Sequence, residues 1–233
     1  MIKFQVVNEL CLMITSTGGG EYVFTKAGAF IGGECLGNKN YSFSKVLLGP
    51  QANMGQALLG SLARRATGEN LPLMKVEFAG ESTTYYANNE QHVVVFQLQP
   101  GEALFVESEN LLAFTAQCSY DVRFMGQGLI SQKGMFTTRL AANGPEAFVA
   151  VLVDGNPIVL SNEQSGKTIQ VDPDAVVCWT NSDPAIKMDT LSWKNLIGQH
   201  SGESYMFEWH SGARTTVIIQ PNERMHGQHG LID

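Results

Sequence analysis

Residues 99–123 read QPGEALFVESENLLAFTAQCSYDVR, and residues 164–188 read QSGKTIQVDPDAVVCWTNSDPAIKM. The two passages are one pattern written twice, 65 residues apart: Leu104 answers Ile169, Val106 answers Val171, Glu107 answers Asp172, Phe114 answers Trp179 and Thr115 answers Thr180. A third version opens at Gly20-Glu21-Tyr22-Val23-Phe24, beside Gly101-Glu102-Ala103-Leu104-Phe105 and Gly166-Lys167-Thr168-Ile169-Gln170. Ten residues after each leading glycine stands an apolar doublet: Phe30-Ile31, Leu111-Leu112 and Val176-Val177. Self-similarity of this kind governs the reading of a whole chain, because a unit used three times sets the architecture.

A second series of glycines, Gly68, Gly134 and Gly202, opens a further stretch in each unit, and Gly80, Gly144 and Gly212 follow 12, 10 and 10 residues later. The stretches on both sides of these later glycines read as strands, at 73–78 and 82–87, 136–141 and 147–153, and 204–210 and 214–220, and each returning one is rich in β-branched or aromatic residues. The spacing predicts three β-hairpins, with glycine supplying a positive φ at each turn. The chain therefore reads as one all-β body over residues 1–233, built from three repeated units at about 17–97, 98–162 and 163–222, with a loose tail at 223–233.

The first unit is 16 residues longer than the others, with the excess between Glu34 and Gly60. Residues 52–65 are the one predicted helix: Met54, Leu58 and Leu62 recur at helical spacing, and Arg64 and Arg65 suit the negative end of the helix dipole. Gly55 and Gly60 count against it.

Hydrophobic residues make up 44% of the 233 and charged residues 16%, which places the chain among globular proteins. So little charge on a chain of this size is expected where self-association hides some surface. A net charge of −7 opposes a nucleic-acid footprint, which needs a basic face. The cysteines Cys11, Cys35, Cys118 and Cys178 form no C-x-x-C pair, so buried thiols are expected rather than a disulfide framework. No apolar stretch reaches the roughly 20 residues that span a bilayer as a helix. The first residues lack the pattern of a signal or transit peptide, so the expected location is cytoplasmic.

The glycines and turns occur in a distinctive order. Gly20-Glu21 leads to Ala27-Gly28-Ala29-Phe30, then to small residues between Gly55 and Gly60, Arg65-Ala66-Thr67-Gly68-Glu69 and Gln99-Pro100-Gly101-Glu102. Val171-Asp172, Val177, Ser201-Gly202-Glu203 and Val217-Ile218-Ile219-Gln220 complete it. From residue 17 to 222 this series resembles the mitochondrial-biogenesis (altered inheritance of mitochondria) family, whose bacterial members are mostly of unknown function. The resemblance implies a double-stranded β-helix-like fold, compared in the family with the tryptophan RNA-binding attenuation protein. It also implies homo-oligomers, with a trimer as the first expectation. It transfers no catalytic residue. The long N-terminal extension of mitochondrial members has no counterpart here, so a mitochondrial address is not expected.

The residues offer little chemistry. A cupin-type metal centre needs alternating histidines, yet no H-x-H occurs: His92, His200 and His210 stand apart, and His226 and His229 lie in the tail. There is no G-x-S-x-G nucleophile elbow. Glu107, Glu109, Asp172 and Asp174 occupy matching turns and are expected to be solvated turn carboxylates. Gly55-x-x-x-x-Gly60-Ser61 lacks the lysine of a phosphate loop. Tyr85, Tyr86, Trp193 and Trp209 are stacking candidates for RNA, better read as core or interface aromatics. No catalytic, cofactor or metal-ligand set is assigned. Met54, Leu58, Leu59, Leu62, Arg64 and Arg65 are the candidate interaction surface. The expected function is a non-enzymatic scaffold or interaction protein without a cofactor. A small-ligand or RNA binding module is the alternative, and a metal-dependent cupin-like enzyme ranks below it.

Overall fold

A computed structural model describes residues 1–37, 41–46, 73–125, 135–188 and 205–221. Among these residues the chain is all-β, with nineteen strands and two 3-10 turns, at Ser108–Asn110 and Pro173–Ala175. The predicted helix at 52–65, the glycines Gly68, Gly134 and Gly202, and the tail at 223–233 lie outside the described residues.

Contacts divide the chain into two compact units, Met1–Val153 and Asp154–Asp233. The first contains β1 (Ile2–Val6), β2 (Leu12–Ser16), β3 (Glu21–Lys26), β4 (Phe30–Cys35), β5 (Tyr41–Val46), β6 (Leu73–Phe78) and β7 (Ser82–Tyr86). It continues with β8 (His92–Leu98), β9 (Ala103–Glu107), β10 (Leu111–Thr115), β11 (Cys118–Met125), β12 (Met135–Ala142) and β13 (Ala147–Val153). The second contains β14 (Ile158–Ser161), β15 (Ile169–Val171), β16 (Val176–Thr180), β17 (Ala185–Met188), β18 (Tyr205–Trp209) and β19 (Thr216–Ile219).

After β1 the strands pair in sets of six by one scheme. In the first set the orders are β2-β7-β4 and β5-β6-β3. In the second they are β8-β13-β10 and β11-β12-β9. In the third they are β14-β19-β16 and β15-β18-β17. Every one of these pairs is antiparallel. Within the first unit, β1 extends its sheet to β1-β2-β7-β4, and β3 joins β10 to give β5-β6-β3-β10-β13-β8.

Burial explains the sequence patterns. On β2 and β7 buried residues alternate with half-buried ones, as expected of strands with one inward face. The interior strands β10 (LLAFT) and β13 (AFVAVLV) are apolar almost throughout, and all of β10 is buried. Leu12, Ile14, Val23, Val76, Leu112 and Leu152 fill the core of the first unit, and Phe4 stacks on Phe148 with ring centroids 5.7 Å apart. In the second unit Trp179 and Trp209 are buried 5.8 Å apart, and the Trp209 Nε1–H donates to the Ser182 carbonyl at 2.9 Å.

The apolar doublets are β-bulges. Pairing shifts between Phe30 and Gly32, between Leu111 and Ala113, and between Val176 and Cys178, leaving Ile31, Leu112 and Val177 as the extra residues. Both members of the doublet are buried in β10 and in β16.

The expected hairpins are corrected. Gly80, Gly144 and Gly212 do fall between β6 and β7, β12 and β13, and β18 and β19, the same place in each set. The flanking strands, however, pair into different groups, so each glycine marks a corner where the chain leaves one group for the other. None of the three has a positive φ; Glu146 (φ 64°) and Arg214 (φ 48°), two residues further on, have one instead. Positive φ belongs to the leading glycines Gly20 (83°), Gly101 (90°) and Gly166 (62°), which turn the chain ahead of β3, β9 and β15.

A threonine fastens two of these corners. Buried Thr115 accepts from the Phe148 N–H at 2.9 Å and donates to the Glu146 carbonyl at 3.0 Å. Its counterpart Thr180 accepts from the Thr216 N–H at 3.0 Å. Thr115→Val keeps the shape but strands a buried N–H and a carbonyl, so it is expected to lower stability by about 1–3 kcal/mol. Urea titration followed by circular dichroism measures the loss, and an unchanged midpoint contradicts the fastening role.

Candidate interaction surface

The third strand of a set meets different conditions in β10 and in β4. β10 lies between β13 and β3, whereas β4 ends the sheet β1-β2-β7-β4. Burial follows: Leu112 is fully buried, and Ile31 at the same bulge position is 60% exposed. Where the second set has Ala113-Phe114, the first has Gly32-Gly33, so side chains are missing from the middle of β4.

Gly33 has a local reason. A Cβ there would lie 2.8 Å from the Tyr41 Oη and 2.8 Å from the Thr83 carbonyl oxygen, so only glycine leaves room for the tyrosine. Tyr41 starts β5, which ends its own sheet. Phe30 gathers the rings of this edge: Phe43 at 4.8 Å, Tyr86 at 5.8 Å and Tyr41 at 6.0 Å between centroids. Tyr86 is the buried foot of the cluster, and burial pushes its phenol up to about 12. Phe30 and Phe43 remain more than a third exposed, and Leu36, just past β4, is 70% exposed.

The other edges vary: β14, which ends its group in the second unit, also leaves Ile158 and Val159 exposed. β11, which ends its group in the first unit, carries the exposed pair Asp121 and Arg123, 3.8 Å apart. Charges of this kind discourage a neighbouring strand. β4 has Glu34 as its one charged residue, among Phe30, Ile31, Gly32, Gly33 and Cys35. Beside the cluster, a hollow of about 350 Å³ is lined by Gly20, Glu21, Tyr41, Ser42, Glu77, Phe78 and Ala79. Glu21 is already engaged by the Met1 ammonium and by the Ser16 hydroxyl at 2.8 Å. The edge is therefore suited to binding a strand or an apolar surface, and the hollow supplies no convergent reactive groups.

Comparison with known proteins agrees with the fold. The family described as Mitochondrial biogenesis AIM24 matches residues 4–222. The chain belongs to this family. A crystal structure of a Streptococcus pyogenes protein matches with a TM-score of 0.69 at 16% identity, over 96% of this chain and 94% of that one. At that identity the likeness establishes shared fold alone. Outer membrane protein B of Rickettsia typhi is 23% identical over 252 residues, covering 95% of this chain. The chain spans 14% of the length of that relative.

The residues singled out in this AIM24-family sequence disperse. Met54, Leu58, Leu59, Leu62, Arg64 and Arg65 lie outside the described residues, as do Trp193, His200, His226 and His229. Tyr86 and Trp209 are buried and offer no free ring face. His92 lies on β8, and the exposed His210 stands 3.4 Å from Glu208. Glu208 is held below the usual carboxylate range by hydrogen bonds from Gln170 and Lys187. Among the described residues no group of three or more histidines, cysteines or carboxylates converges on a point. No helix among them is long and apolar enough to cross a membrane, which says nothing of membrane barrels built from strands.

The matching acidic turns need a correction. Glu107 is buried, and its Oε2 accepts from the Glu109 N–H at 2.8 Å, capping the 3-10 turn. Asp172 does the same for Asp174 N–H at 2.9 Å. The carboxylates of Glu107 and half-buried Asp172 therefore serve the backbone, whereas Glu109 is exposed as expected.

The β4–β5 edge is not part of the interaction surface that the sequence singles out. Its signal was the Gly32-Gly33 pair standing where the other sets carry Ala113-Phe114 and Cys178-Trp179.

All four cysteines are free, and Cys35 alone is exposed. Burial pushes the Cys118 thiol up to about 11 and raises that of Cys178 further. Both are protonated at pH 8, whereas alkylation requires the thiolate. Iodoacetamide at pH 8 is expected to leave Cys118 and Cys178 unmodified in native protein and to label both in urea. Peptide mass mapping reads the sites, and native labelling of either contradicts the buried placement.

Proposed function

We propose that this protein is a non-enzymatic scaffold that acts by self-association, its three six-strand sets being copies of one unit like that of the tryptophan RNA-binding attenuation protein. The observation that carries the reading is the aromatic-rich edge formed by β4 and β5, whose charged residues are Glu34 and Lys45. Open edges of this character are covered in soluble proteins, and symmetric self-association is the common cover. The low charge content fits the same picture, and the trimer is the expected assembly. The buried thiols and the turn-capping carboxylates contribute structure, and among the exposed apolar strands of the described surface the β4–β5 edge is the one that carries a ring cluster.

Native mass spectrometry of protein purified without ligand or chelator tests this. The expected result is a closed oligomer of three copies with no additional mass. Ile31→Lys, at an exposed position, is expected to shift the population to monomer while leaving far-ultraviolet circular dichroism unchanged. A monomeric parent contradicts the proposal. A stoichiometric metal, nucleotide or lipid mass contradicts it in favour of a binding module or an enzyme.

A further inference from the structure

We infer that β15 of one copy adds as an antiparallel strand beside β4 of a second copy, so that the assembly is joined head to tail. The inference rests on the self-association proposed above and names its interface. Its basis is a pairing already present inside the chain. β3, the second strand of its set, lies antiparallel to β10, the third strand of the next set, with Thr25 opposite Ala113, Phe24 opposite Phe114 and Val23 opposite Thr115. The first set's own third strand, β4, has no strand beyond it among the described residues, and the last set's second strand, β15, ends the group β15-β18-β17. Each is half of the pair that β3 and β10 complete. A second copy therefore brings to β4 the kind of strand that covers β10.

The register follows from the equivalences. β4 aligns with β10 at the bulge, which puts Gly32, Gly33 and Glu34 in the places of Ala113, Phe114 and Thr115. β15 aligns with β3 from the leading glycine, which puts Ile169, Gln170 and Val171 in the places of Val23, Phe24 and Thr25. Val171 then faces Gly32, Gln170 faces Gly33 and Ile169 faces Glu34. One step further along, Thr168 faces Cys35. Lys167 falls diagonally across from Glu34, an opposite charge on the same face within reach of long side chains. Ile169 and Val171 are buried in their own unit, so what β15 offers is its backbone edge. Main-chain hydrogen bonds supply the joint, as in other strand additions. Such an interface is heterologous, and it closes into a ring when the rotation between copies divides the circle.

The exposed Cys35 provides the test. Residues directly opposite in an antiparallel pair have Cα atoms about 4.5–5.5 Å apart, within disulfide range. The full chain carrying Thr168→Cys, which alters an exposed residue, is oxidised mildly with copper phenanthroline and examined on non-reducing gels, with native mass spectrometry and peptide mapping in parallel. The expected result is a ladder of covalent oligomers bridged between Cys35 and the introduced thiol, absent when Cys35→Ser is added. An oligomer without that bridge overturns the inference and leaves self-association standing. A bridge formed only within single chains also overturns it. A monomer with no bridge removes both the inference and the proposal beneath it.

Discussion

Strand edges carry backbone N–H and C=O groups that need partners, and this requirement organises the chain. Each six-strand set resolves it internally in the same way, by placing its last strand between its first and third, and its fifth between its fourth and second. What remains are the outer edges of the first and fourth strands, which end their groups except where β1 covers β2, and those of the second and third, the remainder that sets can settle between them. Between the first two sets that remainder is settled by the pairing of β3 with β10, which buries all of β10 and carries one sheet across six strands. At β4 it is not settled within the described residues. Its exposed bulge, its glycines and its ring cluster are the local consequences of an edge built without a neighbour of its own.

The pairs of residues that made the sequence legible are those with a backbone task. The leading glycines stand at positive φ, the doublets are bulges, and Thr115 and Thr180 fasten equivalent corners. Such tasks tolerate few residue types, so they recur between sets whose other positions differ. The corner glycines show the limit of the same reasoning. A glycine between two β-rich stretches has the composition of a hairpin whether the second strand returns beside the first or crosses to another sheet. Only pairing distinguishes these, and pairing is set by residues far away in sequence, such as Phe24 opposite Lys75 on one side and Phe114 on the other.

The candidate surface was less legible for a related reason. Apolar residues at helical spacing drew attention to 52–65, whereas the β4 edge consists of small residues and one exposed isoleucine that look unremarkable singly. Their meaning comes from comparison between sets: glycine in place of Phe114 and Trp179, with Tyr41 lying where a Cβ on Gly33 would have been. The acidic turns misled in the opposite direction. Glu107 and Asp172 look like surface carboxylates in sequence, but a short turn between two buried strands holds its own amide groups out of water, and the side chains answer them.

The backbone amides of β4 report most directly on the central claim. Hydrogen–deuterium exchange of residues 30–35 is measured at a concentration where the protein is assembled and again at one where it is monomeric. Head-to-tail pairing predicts slow exchange in the assembly and fast exchange in the monomer, with β10 protected in both. Exchange at β4 that is equally fast in the two states would contradict an edge completed by a second copy.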